Sequence, residues 1–275
     1  ACEKERERDL SPRPFCPSSV DEIPPVPTAD LELWSRLDAR VPITGIYEGS
    51  QLADDLASDN PTTDNLLLGT ETYFKGEVAV GALWDSRDRE VSPSRGMMHD
   101  ISVRGGITNL ERRAYGGANI TLRGYLPLLG PQLVAGARVL TDVIWGAAPF
   151  QTLAEEGGFL TKRATGGAES IRGVLNGRFH GKTKILLNGE LRSRFLPFQL
   201  GSQQFEFGLT GFVDSGRVWS ETFKTTSLDQ GGKMQVGTGA GARRFWGESF
   251  VLRADWAISP TDNTTGFYIT INNIF

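Results

Sequence analysis

The chain has 275 residues, 33 of them glycine and 2 cysteine, and a formal charge of -4. That length suits one sizeable domain or two small ones, and the weak acidity, with arginines scattered along the chain, gives no case for nucleic acid. No run of about 18 apolar residues occurs, which excludes a membrane-spanning helix, and the charged start Ala1–Arg6 has no signal-peptide pattern, so an exported chain is expected to be a mature or trimmed form.

Residues 1–30 carry Pro12, Pro14, Pro17, Pro24, Pro25 and Pro27 among many charges and read as a flexible proline-rich N-terminal arm. Cys2 and Cys16 are compatible with a short disulfide or with two free thiols. Residues 31–66 fit more than one reading. Leu31–Leu37 reads as a short helix, Ala39–Tyr47 as a strand and Asp54–Asn65 as a polar loop.

From Tyr73 the period becomes two. Val78, Val80, Ala82 and Trp84 face one way, with Lys75, Glu77 and Asp85 facing the other. Met97–Gly105, 115–126 and 131–145 repeat the pattern, with Arg138 and Asp142 forming a paired polar set on the last. A long glycine-rich connection runs from Gly146 to about Gly181. The alternation then resumes through 182–195, 203–214, 233–245, 248–258 and 267–275. Glu190 and Asp214 fall on polar parity, as do Arg243, Gly237, Gly239 and Gly241. Arg253 and Asp255 form a second polar pair, and Phe267, Ile269, Ile271 and Phe275 form the last apolar row.

A soluble β-sandwich also alternates, so periodicity alone does not choose. Three features favour a membrane barrel. The strands exceed the usual length, and aromatics cluster near strand ends (Trp84, Trp145, Phe195, Trp219, Trp246, Phe267), as interface girdles require. The chain also stops on an aromatic, Phe275. A mean hydropathy of -0.25 is no obstacle, because inward polar residues dilute the outward apolar ones.

Gly166-Gly167-Ala168-Glu169-Ser170-Ile171-Arg172-Gly173-Val174 resembles the arginine-glycine motif of the BamA/TamA superfamily of bacterial surface-antigen barrels, with Val174 where the family usually has an aromatic. Leu187–Arg192 resembles the family strand with an inward glutamate, and Phe212–Trp219 the strand with an inward aspartate. Trp84–Asp88 with Pro93–Gly96 resembles a short periplasmic turn, and Gly266–Phe275 the C-terminal insertion signal. The resemblance covers about 73–275. Within these residues no POTRA pattern of alternating helices and strands is visible, so a barrel domain without POTRA domains is expected.

The resulting expectation is an all-β fold over residues 31–275. It is a transmembrane antiparallel up-and-down β-barrel of about 10–16 strands, with a long extracellular loop folded into the lumen. The resemblance implies a loop-to-wall lock in which Arg172 and Gly173 meet Glu190 and Asp214. Bidentate geometry suits a guanidinium between carboxylates. It implies an insertion signal at Phe267, Ile269, Ile271 and Phe275, and location in the cell outer membrane. It also implies a role in assembling outer-membrane proteins or translocating polypeptides, with membrane lipids and other outer-membrane or periplasmic proteins as partners. A passive or structural barrel is the alternative. No catalytic residue, metal or cofactor is expected: only His99 and His180 exist, and no Gly-x-Ser-x-Gly occurs.

Overall fold

The structure, a computed structural model, describes residues 29–42, 68–110, 113–159, 162–163, 165–201, 203–222, 233–247 and 250–275. The two cysteines, the proline-rich arm up to residue 28 and the polar segment Asp54–Asn65 lie outside the described residues.

Alternation builds the sheet. The spanning strands are β1 (Asp30–Arg40), β2 (Lys75–Asp85), β3 (Gly96–Thr108), β4 (Ala114–Pro127) and β5 (Leu133–Gly146). A helix α1 (Phe150–Ala154) and a small ladder of β6 (Glu155–Glu156) with β7 (Lys162–Arg163) lie in the long connection. There follow β8 (Thr183–Ser193), β9 (Leu196–Leu200), β10 (Gln203–Trp219), β11 (Gln235–Trp246), β12 (Phe250–Ser259) and β13 (Thr264–Ile271). Every neighbouring pair is antiparallel, in the order β1-β2-β3-β4-β5-β8-β10-β11-β12-β13, with β9 also paired to β10.

β9 continues β8 after one extra residue. Arg192 faces Thr210, whereas Leu196 faces Phe207, so four steps on one strand oppose three on the other. Such a bulge reverses side-chain parity, and here it keeps Phe198 on the same face as its partner Phe205.

The two faces are inverted relative to a soluble protein. On β3, Ile101 and Val103 are 55% and 53% exposed, whereas Asp100, Ser102 and Arg104 are 4%, 5% and 8% exposed. A polar interior under an apolar exterior is the arrangement that lipid selects. The strand ends divide into a short-turn side and a long-loop side, and in bacterial barrels short turns are periplasmic. The turn between β2 and β3 is held by Asp88, whose carboxylate accepts the Ser94 amide at 2.8 Å. It closes at Gly96 (φ 97), where a side chain would run into the Ser86 carbonyl.

Two expectations need correction. Leu31–Leu37 is strand, not helix: Leu31, Leu33 and Leu37 point outward, and the full length of β1 pairs with β2 from Asp30↔Asp85 to Arg40↔Lys75. Phe275 does not extend the outward row of β13. Phe267, Ile269 and Ile271 are 66%, 66% and 61% exposed, but Phe275 is 9% exposed. Asn272 takes φ 66 and ends the strand, and the tail turns inward, where Ile274 and Phe275 pack with Tyr125 and Val134. Arg192 Nη2 donates to the Phe275 backbone oxygen at 2.9 Å.

If the exterior faces lipid, Val103→Arg should destabilise the inserted protein by about 2–4 kcal/mol, the cost of an arginine near the bilayer midplane. Urea unfolding in lipid vesicles measures this, and an unchanged midpoint would contradict the orientation.

Candidate functional site

The connection from β5 to β8 lies inside the sheet and touches both halves of it. Its first arm is held by β1 to β5 and β8. Asp142, fully buried on β5, accepts both Arg104 guanidinium nitrogens at 2.8 and 2.9 Å, Lys184 Nζ at 3.3 Å and the Gly157 amide at 3.1 Å. Asp100 on β3 accepts the Phe159 amide at 2.6 Å and Trp34 Nε1 at 3.2 Å. Arg36 donates to the Gly158 carbonyl at 3.1 Å, and Arg40 pairs with Glu155 at 3.1 Å. A buried carboxylate is tolerable only with its lone pairs filled, and Asp142 meets that condition.

The second arm carries Arg172 to the opposite wall. Asp214 on β10 grips it bidentately, accepting Nε at 2.7 Å and Nη2 at 3.0 Å, and also accepts the Arg172 amide at 3.1 Å. Nη1 lies 2.6 Å from Glu190 Oε1 and 3.1 Å from Asp255 Oδ2. The guanidinium carbon sits 3.4 Å from the ring centre of Phe212. Strand register explains the convergence, since Glu190 is directly opposite Phe212 and Asn188 directly opposite Asp214. Asn188 links the two arms' walls: it donates to Asp214 at 2.8 Å and to the Ser170 carbonyl at 2.6 Å, and it accepts from Arg138 at 2.9 Å.

The backbone must approach very closely for this contact. Gly173 has φ 93, and a Cβ there would sit 2.6 Å from the Ile258 backbone. On β11, a side chain at Gly237 would overlap the Arg172 carbonyl. Gly237 therefore makes room for the loop, while at Gly239 and Gly241 a side chain would meet the neighbouring wall, at the Trp256 carbonyl and the Asp255 carboxylate. Gly173 also bonds the last strand, donating to Tyr268 Oη at 3.0 Å and accepting Thr264 Oγ1 at 2.6 Å. Beneath it, Ile171, Val174 and Phe179 pack on Leu140, Leu186 and Val218, an apolar core between loop and wall.

The structure thus brings Arg172, Gly173, Glu190 and Asp214 into one cluster. The sequence reading missed two members. Asp255 had been grouped only with Arg253, which it does meet at 3.4 Å, but it also binds Arg243 at 2.5 Å and Arg172. Phe212 was not singled out, although an aromatic on the polar parity of β10 is a visible signal. The expected Arg138–Asp142 pair does not form. The two stand four residues apart on one strand, about 13 Å along it, and each pairs across strands instead: Arg138 with Asn188, Asp142 with Arg104 and Lys184.

The histidines stand apart from each other. His99 stacks on Trp84 on the outer face, with ring centres 5.1 Å apart, and His180 stacks on Phe150 at 4.6 Å. Burial, with Lys184 nearby, pushes His180 down to about 4, so it is neutral at ordinary pH.

A polar-lined, loop-plugged antiparallel barrel with an apolar exterior defines a transmembrane β-barrel of the BamA/TamA type. The Omp85 superfamily domain matches residues 38–275, and the chain belongs to that superfamily. Among solved structures, the fold is similar to BamA from Haemophilus ducreyi lacking POTRA domains 1-3, with a TM-score of 0.53 and 16% identity. That match covers 89% of this chain and 51% of the other, so this chain spans about half the length of that one. No curated protein sequence matches the chain.

Removing one partner of a buried ion cluster costs about 3–5 kcal/mol, because the others are left uncompensated. Arg172→Ala should lower the unfolding free energy in vesicles by that amount. Arg172→Lys should restore only part of it, since an ammonium cannot fork to Asp214 while reaching Glu190 and Asp255. Full recovery by lysine would contradict the geometry.

Proposed function

We propose that this chain is the outer-membrane barrel of a machine that inserts other outer-membrane proteins or passes polypeptides across the membrane, acting with other outer-membrane or periplasmic proteins. The observation that carries the reading is the outer edge of β13, which has no partner strand among the described residues. An unpaired edge is a template for an incoming strand, and soluble or membrane barrels otherwise remove such edges by closing. The occupied lumen supports the same reading over that of a passive channel. Between the first loop arm and the wall, the space lined by Met98, Thr121, Arg138 and Phe159 is a cavity of about 10 Å3, room for one water.

In this reading Arg172, Gly173, Glu190 and Asp214 lock the loop to the wall and hold the last strands in place while the edge of β13 is used. Phe267, Ile269, Ile271 and Phe275 form the signal read when the chain itself is inserted, with Phe275 tucking inward afterwards.

The test uses the protein in lipid vesicles, with Cys2 and Cys16 replaced by serine and a cysteine introduced at Thr265. A client barrel with a cysteine in its terminal strand should form a disulfide-linked product during its own assembly, and Arg172→Glu should lower that yield. Ion conductance with neither cross-link nor client assembly would show a passive barrel and sink the proposal.

A further inference from the structure

The turn between β2 and β3 does not stop where its strands stop. Ser86 and Asp88 donate their backbone amides to the carbonyls of Met97 and Arg95, at 2.9 and 3.3 Å, which carries the hairpin past the sheet. Its tip then folds inward. Ser92 is 6% exposed and Pro93 is buried, whereas Arg89 and Glu90 earlier in the turn are exposed. A turn standing free in water would bury neither Ser92 nor Pro93.

The groups that cover the tip come from distant strands. Arg194, just after β8, donates from Nη2 to the Ser92 hydroxyl at 2.6 Å and to its carbonyl at 3.4 Å. Asn273, just after β13, donates from Nδ2 to the Val91 carbonyl at 3.2 Å and to the Ser92 hydroxyl at 3.4 Å. β8 stands three places from β3 in the sheet order, and β13 ends that order. At about 4.8 Å per place, β8 is roughly 14 Å from β3 along the sheet. The turn therefore leaves its own part of the wall and crosses the short-turn mouth of the lumen.

Arg194 is fixed on the far side of that mouth. Its Nη1 lies 3.5 Å from Glu206 on β10, and its guanidinium carbon is 4.1 Å from the ring centre of Phe245 on β11. The tail lies against the crossing, with Ile274 and Phe275 packed on Tyr125 and Val134. Turn and tail together make a floor at the end of the lumen away from the long loops. The bonds that hold the turn in this floor are polar. Hydrogen bonds of this kind exchange with water for little net free energy, so the floor can open while the ladders of the sheet stay intact.

We propose that the β2–β3 turn is a latch. Closed on Arg194 and Asn273, it seals the short-turn mouth of the lumen and holds the tail in its pocket. Open, it frees both. The latch is separate from the Arg172 cluster and independent of whether the barrel assembles clients.

The test is the rate at which a charged, membrane-impermeant maleimide alkylates single cysteines in the full chain in detergent, with Cys2 and Cys16 replaced by serine. Thr210→Cys reports on the lumen above the floor, because Thr210 is buried on β10 directly opposite Arg192. Val134→Cys reports on the pocket under the tail, and Thr183→Cys, buried at the long-loop end of β8, is the control. With the latch intact all three should react slowly. Arg194→Gln should speed Thr210→Cys and Val134→Cys on the order of tenfold, because the closed state loses a charge-assisted hydrogen bond. Ser92→Ala, which removes only the hydroxyl, should speed both by a smaller factor, and Thr183→Cys should keep its rate. Unchanged rates at Thr210→Cys and Val134→Cys in both variants overturn the proposal. So does a rise with Arg194→Gln and none with Ser92→Ala, because Arg194 would then act through Glu206 and Phe245 alone. An equal rise at Thr183→Cys overturns it as well, since the whole barrel would have loosened rather than one mouth.

Discussion

One arginine side chain ties the in-folded loop to three strands of the wall at a single point. Arg172 is fully buried, and its guanidinium is surrounded by Asp214, Glu190 and Asp255 from three different strands, with the Phe212 ring against its face. In a soluble protein such a cluster would be an expensive minority feature of an apolar core. Here the apolar surface is turned outward to lipid, so the interior draws on only three small apolar clusters, around Ile171 and Val174, around Ile144 and Leu153, and around Ile274 and Phe275. Charge-assisted hydrogen bonds are the remaining source of specific cohesion. The loop completes the set: without Arg172, Glu190 and Asp255 would keep Arg192, Arg243 and Arg253 of the wall, whereas Asp214 would lose its guanidinium partner.

The loop then solves a second problem, that of the sheet's ends. β1 and β13 terminate the hydrogen-bonded order, and neither is tied to the other among the described residues. Both are tied to the loop. Trp34 packs edge-on to Phe159, while Arg36 and Arg40 reach Gly158 and Glu155. At the far end, Thr264 and Tyr268 bond Gly173. The C-terminal tail adds a further strut at the short-turn side, where Asn273 donates to the Val91 carbonyl at 3.2 Å and Phe275 stacks toward Tyr125. An edge can stay unpaired without the sheet splaying when its strand is anchored through side chains on the inner face.

Much of this was legible in the sequence, and the failures have identifiable causes. The strands from Lys75 onward were readable because lipid outside and charge inside impose a period of two without exceptions large enough to blur it. β1 was ambiguous because Leu31, Trp34 and Leu37 also recur at helical spacing, and the inward Trp34 breaks the polar row. Its place was decided by pairing with β2, which no local pattern reports. The parity of Glu190 and Asp214 was correct, yet parity says only which face a residue occupies. That Asp255 joins them depends on sheet curvature bringing β12 to the loop, information spread over the whole fold. Asp142 and Arg138 share one face of one strand, which their spacing shows, but strand geometry sends their bonds across it, to Arg104 and Lys184 and to Asn188. Phe275 was misplaced because one residue, Asn272, leaves the strand conformation and ends the alternation.

The most direct test of the loop as the element that holds the inverted core is a double-mutant cycle on Arg172→Ala and Asp214→Ala, read as unfolding free energy in lipid vesicles. The account predicts strong non-additivity, with the double variant less damaged than the sum of the singles by about 1–3 kcal/mol, as for residues bonded in one buried network. Losses that add to within about 0.5 kcal/mol would mean the two side chains act independently, and the claim that their contact joins loop to wall would be wrong.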